Sequence, residues 1–207
     1  MIINTEWGSF GDKEELEFIR TEWDRLLDRK THDEGSQIFE KMTSKMYMGE
    51  IVRLLLLHLV DEKLIFDEQN HDKLKEVGSF DTNDVCQVES DPVGEYTQAK
   101  IALKNKLGMH NVLDQDCYEL RRLCESVTTR AAHLTAATIV ALLKKMGDND
   151  VSIAVDGDLF RRHPHFKYNM ETKIRQLMGA NFQVKTFEQD IGIGAAFLAA
   201  NVKPGTD

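Results

Sequence analysis

The sequence predicts an α/β fold in which a mostly parallel sheet is flanked by helices, and three observations carry that reading. Residues 151–155 form a short apolar run that fits a buried strand and ends on Asp156-Gly157. Phe166–Met178 fits a helix, and residues 182–187 fit a second strand. Gly192-Ile193-Gly194-Ala195-Ala196 then opens a final helix. Strand, helix, strand, glycine turn, helix is the pattern of right-handed parallel crossovers. That handedness sets the strand C-termini, with Asp156-Gly157 and Gly192, on the sheet edge where ligands bind in open α/β layers.

The elements ahead of this unit read as helical after a short opening strand at residues 1–3. A helix is expected over 12–28, because Leu16, Ile19, Trp23 and Leu26 recur at three- and four-residue spacing. A second helical pattern runs over 36–60, with Gly49 inside it implying a kink or a close packing contact. The stretch 61–92 is polar and irregular, with a weaker helical pattern over 69–77, and Asn83-Asp84 reads as loop or helix cap. The clearest helix starts at Asp116, a good N-cap with Glu119 three residues on, and stops at Gly147. Leu120, Leu123, Val127, Ala131, Leu134, Thr138 and Leu142 trace its expected buried face.

A chain of 207 residues with three prolines and no Ser/Gly-rich linker is sized for one core. A net charge of −9 with dispersed Lys and Arg argues against nucleic acid as a partner, since phosphate binding needs a basic face. Cys86, Cys117 and Cys124 form no CxxC pair, which suits a reducing compartment and thiols that act as small hydrophobes. The first residues show no basic, apolar signal pattern, and the run at 54–57 is too short to span a bilayer. A cytoplasmic location with no membrane span is the expectation.

Few residues announce chemistry by themselves. Glu6 follows the opening strand and Glu40 lies early in the second helix. Ionised carboxylates are acceptors only, which suits the hydroxyls of a sugar, but by spacing alone the same two residues read far more readily as surface charges. Gly192-Ile193-Gly194 at a helix start either admits a phosphate to backbone N–H groups or simply lets the helix pack. His163-Pro164-His165 has poor spacing for a tetrahedral metal and reads better as a turn before a helix.

Several stretches in order resemble the hexokinase family, glucokinases included. They are Asn4-Thr5-Glu6-Trp7-Gly8-Ser9-Phe10-Gly11-Asp12, Phe39-Glu40-Lys41-Met42 and Met46-Tyr47-Met48-Gly49-Glu50-Ile51-Val52-Arg53. Further on come Gln87-Val88-Glu89-Ser90-Asp91, Thr129-Arg130-Ala131-Ala132, Val155-Asp156-Gly157 and His163-Pro164-His165-Phe166. The resemblance implies an actin-like, ribonuclease-H-like ATPase fold with a mixed sheet. Residues 1–203 would be an incomplete large-lobe domain and 204–207 a tail. It implies transfer of the γ-phosphoryl of Mg-ATP to the 6-hydroxyl of a glucose-like hexose, with Glu6 and Glu40 on the sugar hydroxyls.

On the nucleotide side the resemblance points to Gly78, Asp156, Gly157, Gly192 and Gly194, in a degraded form. The family's Thr-Arg-Gly is Glu76-Val77-Gly78 here, and Asp158 stands where its Val-Asp-Gly-Ser stretch has serine. Its Asp-Gly-Ser-Gly-Lys-Gly-Ala-Ala loop reads Gln189-Asp190-Ile191-Gly192-Ile193-Gly194-Ala195-Ala196. Asp158 and Asp190 are expected to oppose a triphosphate and to weaken or abolish ATP binding. The catalytic Asp of the family's Asn-Asp-Thr stretch would lie upstream of Met1, so the expectation is a truncated unit, inactive alone. The alternative is a non-catalytic sugar-binding or regulatory module that pairs with a full-length kinase. Self-association through an exposed sheet edge is expected in either case.

Overall fold

The computed structural model describes residues 4–66, 71–147, 150–179 and 181–186, together with Ala196 and Ala200. The expected strand at 1–3, and Gly192 and Gly194, lie outside these residues.

One helix organises the rest. Helix α7, Asp114–Met146, starts two residues before the expected Asp116. Asp116 still completes the start, its carboxylate accepting the Leu113 N–H at 2.8 Å. Gly147 ends the helix with φ 72°, a left-handed turn that costs a residue without a Cβ little. The face toward the main core carries Cys117, Leu120, Cys124, Val127, Ala131, Ala136, Ile139 and Leu143. Leu134, expected on that face, turns instead to a smaller cluster of Leu16, Ile38, Phe39 and Met42. Helix α7 is also long and apolar enough to cross a membrane by length and composition, and here it is the packed spine of the core.

The strand, helix and strand of the α/β unit are as expected. Strand β1, Asp150–Val155, pairs in parallel with strand β2, Asn181–Thr186, with Val151 opposite Phe182 and Ile153 opposite Val184. Helices α8 (Asp158–Arg162) and α9 (Phe166–Met178) form the crossover between them. Helix α9 lies along α7, burying Phe166, Met170 and Ile174. Val151, Ile153 and Val155 lean into the main core while Ser152 and Ala154 face outward, the alternation of a half-covered strand.

Two helical expectations are corrected. Residues 11–19 are turns, with Gly11 at φ 100° and Glu14 at φ 69° interrupting any helix there. The helix begins later, as α1 (Glu22–Lys30), because Thr21 and Asp24 cap each other: Thr21 Oγ1 accepts the Asp24 N–H and Asp24 accepts the Thr21 N–H. The pattern over 36–60 is two helices, α2 (Ile38–Thr43) and α3 (Met48–Asp61). They separate at Ser44, which is extended and whose hydroxyl accepts the Met46 N–H at 3.1 Å.

The polar middle holds more helix than its composition announced. It contains α4 (Asp72–Lys75) and α5 (Thr82–Ser90), and beyond it α6 (Thr97–Ile101) runs into a π-helical turn over Ala102–Lys106. Asn83-Asp84 is a helix start: Asp81 accepts both N–H groups, and Asp84 accepts the Asp81 N–H in return. All three cysteines are free, and burial pushes the thiols of Cys86 and Cys117 up to about 11. They are protonated packing groups at neutral pH.

Gly49 is a close-packing contact rather than a kink. A Cβ at this position would stand 2.5 Å from the Asp81 Cα and 2.5 Å from the Thr82 nitrogen. The Gly49 N–H donates to Thr82 Oγ1 at 3.0 Å, so the start of α3 sits directly on the start of α5. Gly49→Ala should therefore destabilise the fold by about 3 kcal/mol through overpacking, although it improves helix propensity. Urea unfolding followed by circular dichroism measures this, and an unchanged midpoint would mean that α3 and α5 can part at no cost.

Candidate functional site

The sequence separates Glu6 from Glu40, and a single carboxylate brings them together. Asp12 accepts the Gln37 N–H at 3.2 Å and the Ile38 N–H at 3.0 Å, satisfying the free amides at the start of α2. The Phe39 N–H donates to the Phe10 carbonyl at 3.1 Å, so the N-terminal loop and the first turn of α2 lie side by side. Trp7 and Phe10 tilt against the ring of Phe39, with centroids 6.2 and 6.4 Å apart. Beneath them Phe39 joins Leu16, Ile38 and Met42 in the smaller apolar cluster.

Above that cluster opens a cleft of about 420 Å³ whose polar lining includes Asn4, Glu6, Gln37, Glu40, Thr43 and Ser44. Both carboxylates chosen from the sequence thus line one site. Gly8 makes room for it: a Cβ there would stand 2.5 Å from Gln37 Oε1 and 3.4 Å from Glu40 Oε2. Glu6 has a left-handed backbone, φ 45°, and its carboxylate accepts a hydrogen bond from the Asn4 side-chain amide. Ser9 fixes the same turn, its hydroxyl donating to the Glu6 carbonyl at 2.8 Å. Gln37, also left-handed at φ 56°, is a polar residue of the cleft that sequence reasoning missed. Its position three residues before Glu40, one helical turn away, was the available signal.

Behind Glu40, Lys41 is buried and points the other way. Its ammonium donates to Asp28 at 2.8 Å and to the Asp33 carbonyl at 2.7 Å, and it pairs with the Asp33 carboxylate at 3.1 Å. Asp28 also receives Arg20 at 2.9 Å and the Gly35 N–H at 3.0 Å. Burial pushes the Asp28 carboxyl up, but Lys41, the Gly35 N–H and Arg20 outweigh it and hold the group below its ordinary value of 3.8. Burial likewise disfavours the charged Lys41, and Asp28 and Asp33 outweigh it, holding the ammonium above 10.5. This network ties the loop ahead of α2 to α1 and α2, and so fixes where Glu40 starts.

The nucleotide-side candidates gather less tightly. Gly78, φ 78°, donates its N–H to Glu50 at 3.3 Å and does not line either cleft described here. Asp156 and Gly157 do stand together at the C-terminal end of β1, as strand polarity predicted. They border a cavity of about 320 Å³ walled by apolar groups, among them Ile139, Ile153, Val155, Phe160 and Phe166. The charge expected from Asp158 is not left bare: Lys45 lies 3.2 Å away, Arg161 3.2 Å and Arg162 3.8 Å. His163 is the turn residue it was read to be. Its Nδ1 accepts the His165 and Phe166 N–H groups at 3.2 Å, and its Nε2 lies 3.4 Å from the buried Glu89.

The Asp28 network sets a pH dependence. A carboxyl with a depressed folded value contributes stability that is full above its unfolded value and is lost as pH falls through the folded one. Asp33 is depressed as well, chiefly by its hydrogen bond from Lys41. The melting temperature should therefore fall as pH drops below about 4. Asp28→Asn should flatten that fall while lowering stability at pH 7 by about 3 kcal/mol, since it leaves Lys41 buried with less compensation. Thermal melts of both proteins between pH 2 and 7 measure it, and parallel curves would exclude the network as the source.

Comparison with known proteins identifies the family. The family model described as hexokinase matches residues 1–201. Rat hexokinase-2 is 39% identical over 97% of this chain, and human hexokinase-1 is 38% identical over 97%. The chain spans 22% of the length of each of these relatives. Among solved structures, a Schistosoma mansoni hexokinase complexed with glucose superposes with a TM-score of 0.91 at 35% identity. That match covers 96% of this chain and 45% of the other. The parallel strand pair with its flanking helices is thus a portion of the actin-like ATPase fold. On sequence match and superposition alike, this chain belongs to the hexokinase family.

Proposed function

We propose that this chain supplies the hexose-binding wall of an ATP-dependent hexose 6-phosphotransferase, with Glu6 and Glu40 accepting hydrogen bonds from sugar hydroxyls. The observation that carries it is the convergence of Glu6, Gln37 and Glu40 on one cleft, assembled by Asp12. Acceptor-only carboxylates beside an amide that both donates and accepts match a ring of hydroxyls, each of which does both. The glucose bound in the Schistosoma relative supports the same class of ligand.

Mg-ATP, the family's co-substrate, would supply the transferred phosphoryl group. This chain's contribution to that side is the turn Asp156–Gly157 at the end of β1, together with Gly192 and Gly194. The Asn-Asp-Thr stretch that resemblance assigns to the catalytic Asp does not occur in these 207 residues. Phosphoryl transfer depends on positioning from both walls of a cleft, so the chain by itself is expected not to turn over. A second reading, a sugar-binding or regulatory module, is favoured by one observation: cations at the end of β1 are already engaged by Asp158.

A coupled assay for glucose 6-phosphate, run beside calorimetric titration of glucose, tests this. The expected result is no turnover and a Kd of about 1 mM or weaker, because the cleft is open to water. Glu6→Gln with Glu40→Gln should remove the binding that remains and leave the melt unchanged. Glucose bound equally by the double variant would mean that the site is elsewhere.

Strand β1 gives a further expectation. Among the described residues β1 has one partner strand, and Asp150–Val155 contains no Lys or Pro to blunt an edge. We expect concentration-dependent self-association in light scattering, reduced by Ser152→Lys on the outward face. A monodisperse monomer at all concentrations would show the edge to be inert.

A further inference from the structure

Asp158 carries an arrangement that the hexose cleft does not use. The residue sits just past β1, and its carboxylate is met from two directions. From its own short helix come Arg161 at 3.2 Å and Arg162 at 3.8 Å. From the connection between α2 and α3, 113 positions away in sequence, Lys45 donates to it at 3.2 Å. Lys45 is itself placed by the fold, its carbonyl accepting the Thr82 hydroxyl at 2.5 Å. Asp156 pairs with Arg161 from the strand side. Two carboxylates and three cations thus share one turn. The cations, led by Lys45 and Arg161, hold the Asp158 carboxyl below its ordinary value of 3.8, so it is ionised at neutral pH.

Such a pair is too exposed to act as a structural fastener. Lys45 and Asp158 keep 39% and 40% of their side-chain area in water, where an ion pair adds little stability. That same exposure leaves these cations within reach of a dissolved anion. What stands between them and such an anion is carboxylate: Asp156 meets Arg161 alone, and Asp158 meets all three. A carboxylate presents to Lys45 and the arginines the charge and acceptor oxygens that a phosphate would present.

We propose that Asp158 is a built-in competitor for phosphate. It holds Lys45 and the Arg161–Arg162 pair in an internal clasp that closes the nucleotide side of this chain to polyphosphate anions. This rests on reading the Asp156–Asp158 turn as the nucleotide side, and it replaces simple repulsion by occupation. The cations suited to a triphosphate are present, and the chain's own carboxylate satisfies them. Removing that carboxylate should therefore uncover an anion site, not merely relieve a repulsion.

The test is calorimetric titration of inorganic tripolyphosphate, and separately of ATP, into the full chain at low salt. Asp158→Ser and Asp158→Asn should each bind tripolyphosphate about tenfold more tightly than the parent chain, and the gain should fade with added salt. Adding Lys45→Met should cancel the gain. The Asn variant keeps the shape of the side chain, so agreement between the two separates charge from size. Circular dichroism melts confirm that each variant is folded, as expected for an exposed pair. Equal affinity of the parent and both Asp158 variants would overturn the proposal, as would a gain that survives Lys45→Met. Glucose titrated into the same proteins keeps the two readings apart: the clasp can fail while the Glu6 and Glu40 site stands, and the reverse. ATP gaining no more than tripolyphosphate would assign the site to phosphate alone.

Discussion

The bidentate pair between Asp24 and Arg130 joins the half of the chain that carries the cleft to the half that carries the sheet. Both terminal guanidinium nitrogens donate to the two Asp24 oxygens at 2.7 Å, and Asp24 keeps only 3% of its surface. The same carboxylate accepts the Thr21 N–H and hydroxyl, so one side chain starts α1 and fastens it to α7. Burial alone would raise the Asp24 carboxyl, and the Arg130 contacts overcome it and hold the group ionised. A charge buried this deeply is stable only with its partner in place, which makes the union of α1 and α7 close to all-or-none. The Asp28 network behind Glu40 hangs from α1.

A second level of organisation is local. Asp12, Asp28 and Asp81 each accept backbone N–H groups near a chain turn, and each turn sets the direction of the segment that follows. Carboxylates in such places cap helices and fix loops without being exposed to substrate. This is why many of the 35 acidic residues in an acidic chain have no part in a binding site. Glu6 and Glu40 differ from them in having carboxylates that face a cleft instead of a helix end.

How much of this was legible in the sequence depended on the range of the forces involved. The β1–α9–β2 unit could be read because apolar runs, a helical period and glycine punctuation are all local signals. The 12–28 helix was misread because the period of Leu16, Ile19 and Trp23 is real, yet Gly11 and Glu14 take left-handed backbones that no period reveals. Helix α5 was missed because its polar face looked like loop, while Val85 and Val88 are fully buried against α3 and α7. The pairing of Glu6 with Glu40 was only a weak reading before the resemblance strengthened it, since the bond that makes it runs from Asp12 to backbone amides 25 and 26 residues away. Gln37 went unnoticed although its three-residue spacing from Glu40 is a local signal. The clasp at Asp158 was half legible: the departure from serine was visible, but the approach of Lys45 was not.

The left-handed backbones of Glu6 and Gln37 set a thermodynamic condition on the cleft. Each such conformation is costly for a residue with a Cβ, by about 1 kcal/mol or more, and folding has already met that cost through Ser9 and Asp12. The two side chains therefore leave the main chain in fixed directions. A ligand entering such a site need not order the loop that receives it, so less of its contact energy is lost to entropy.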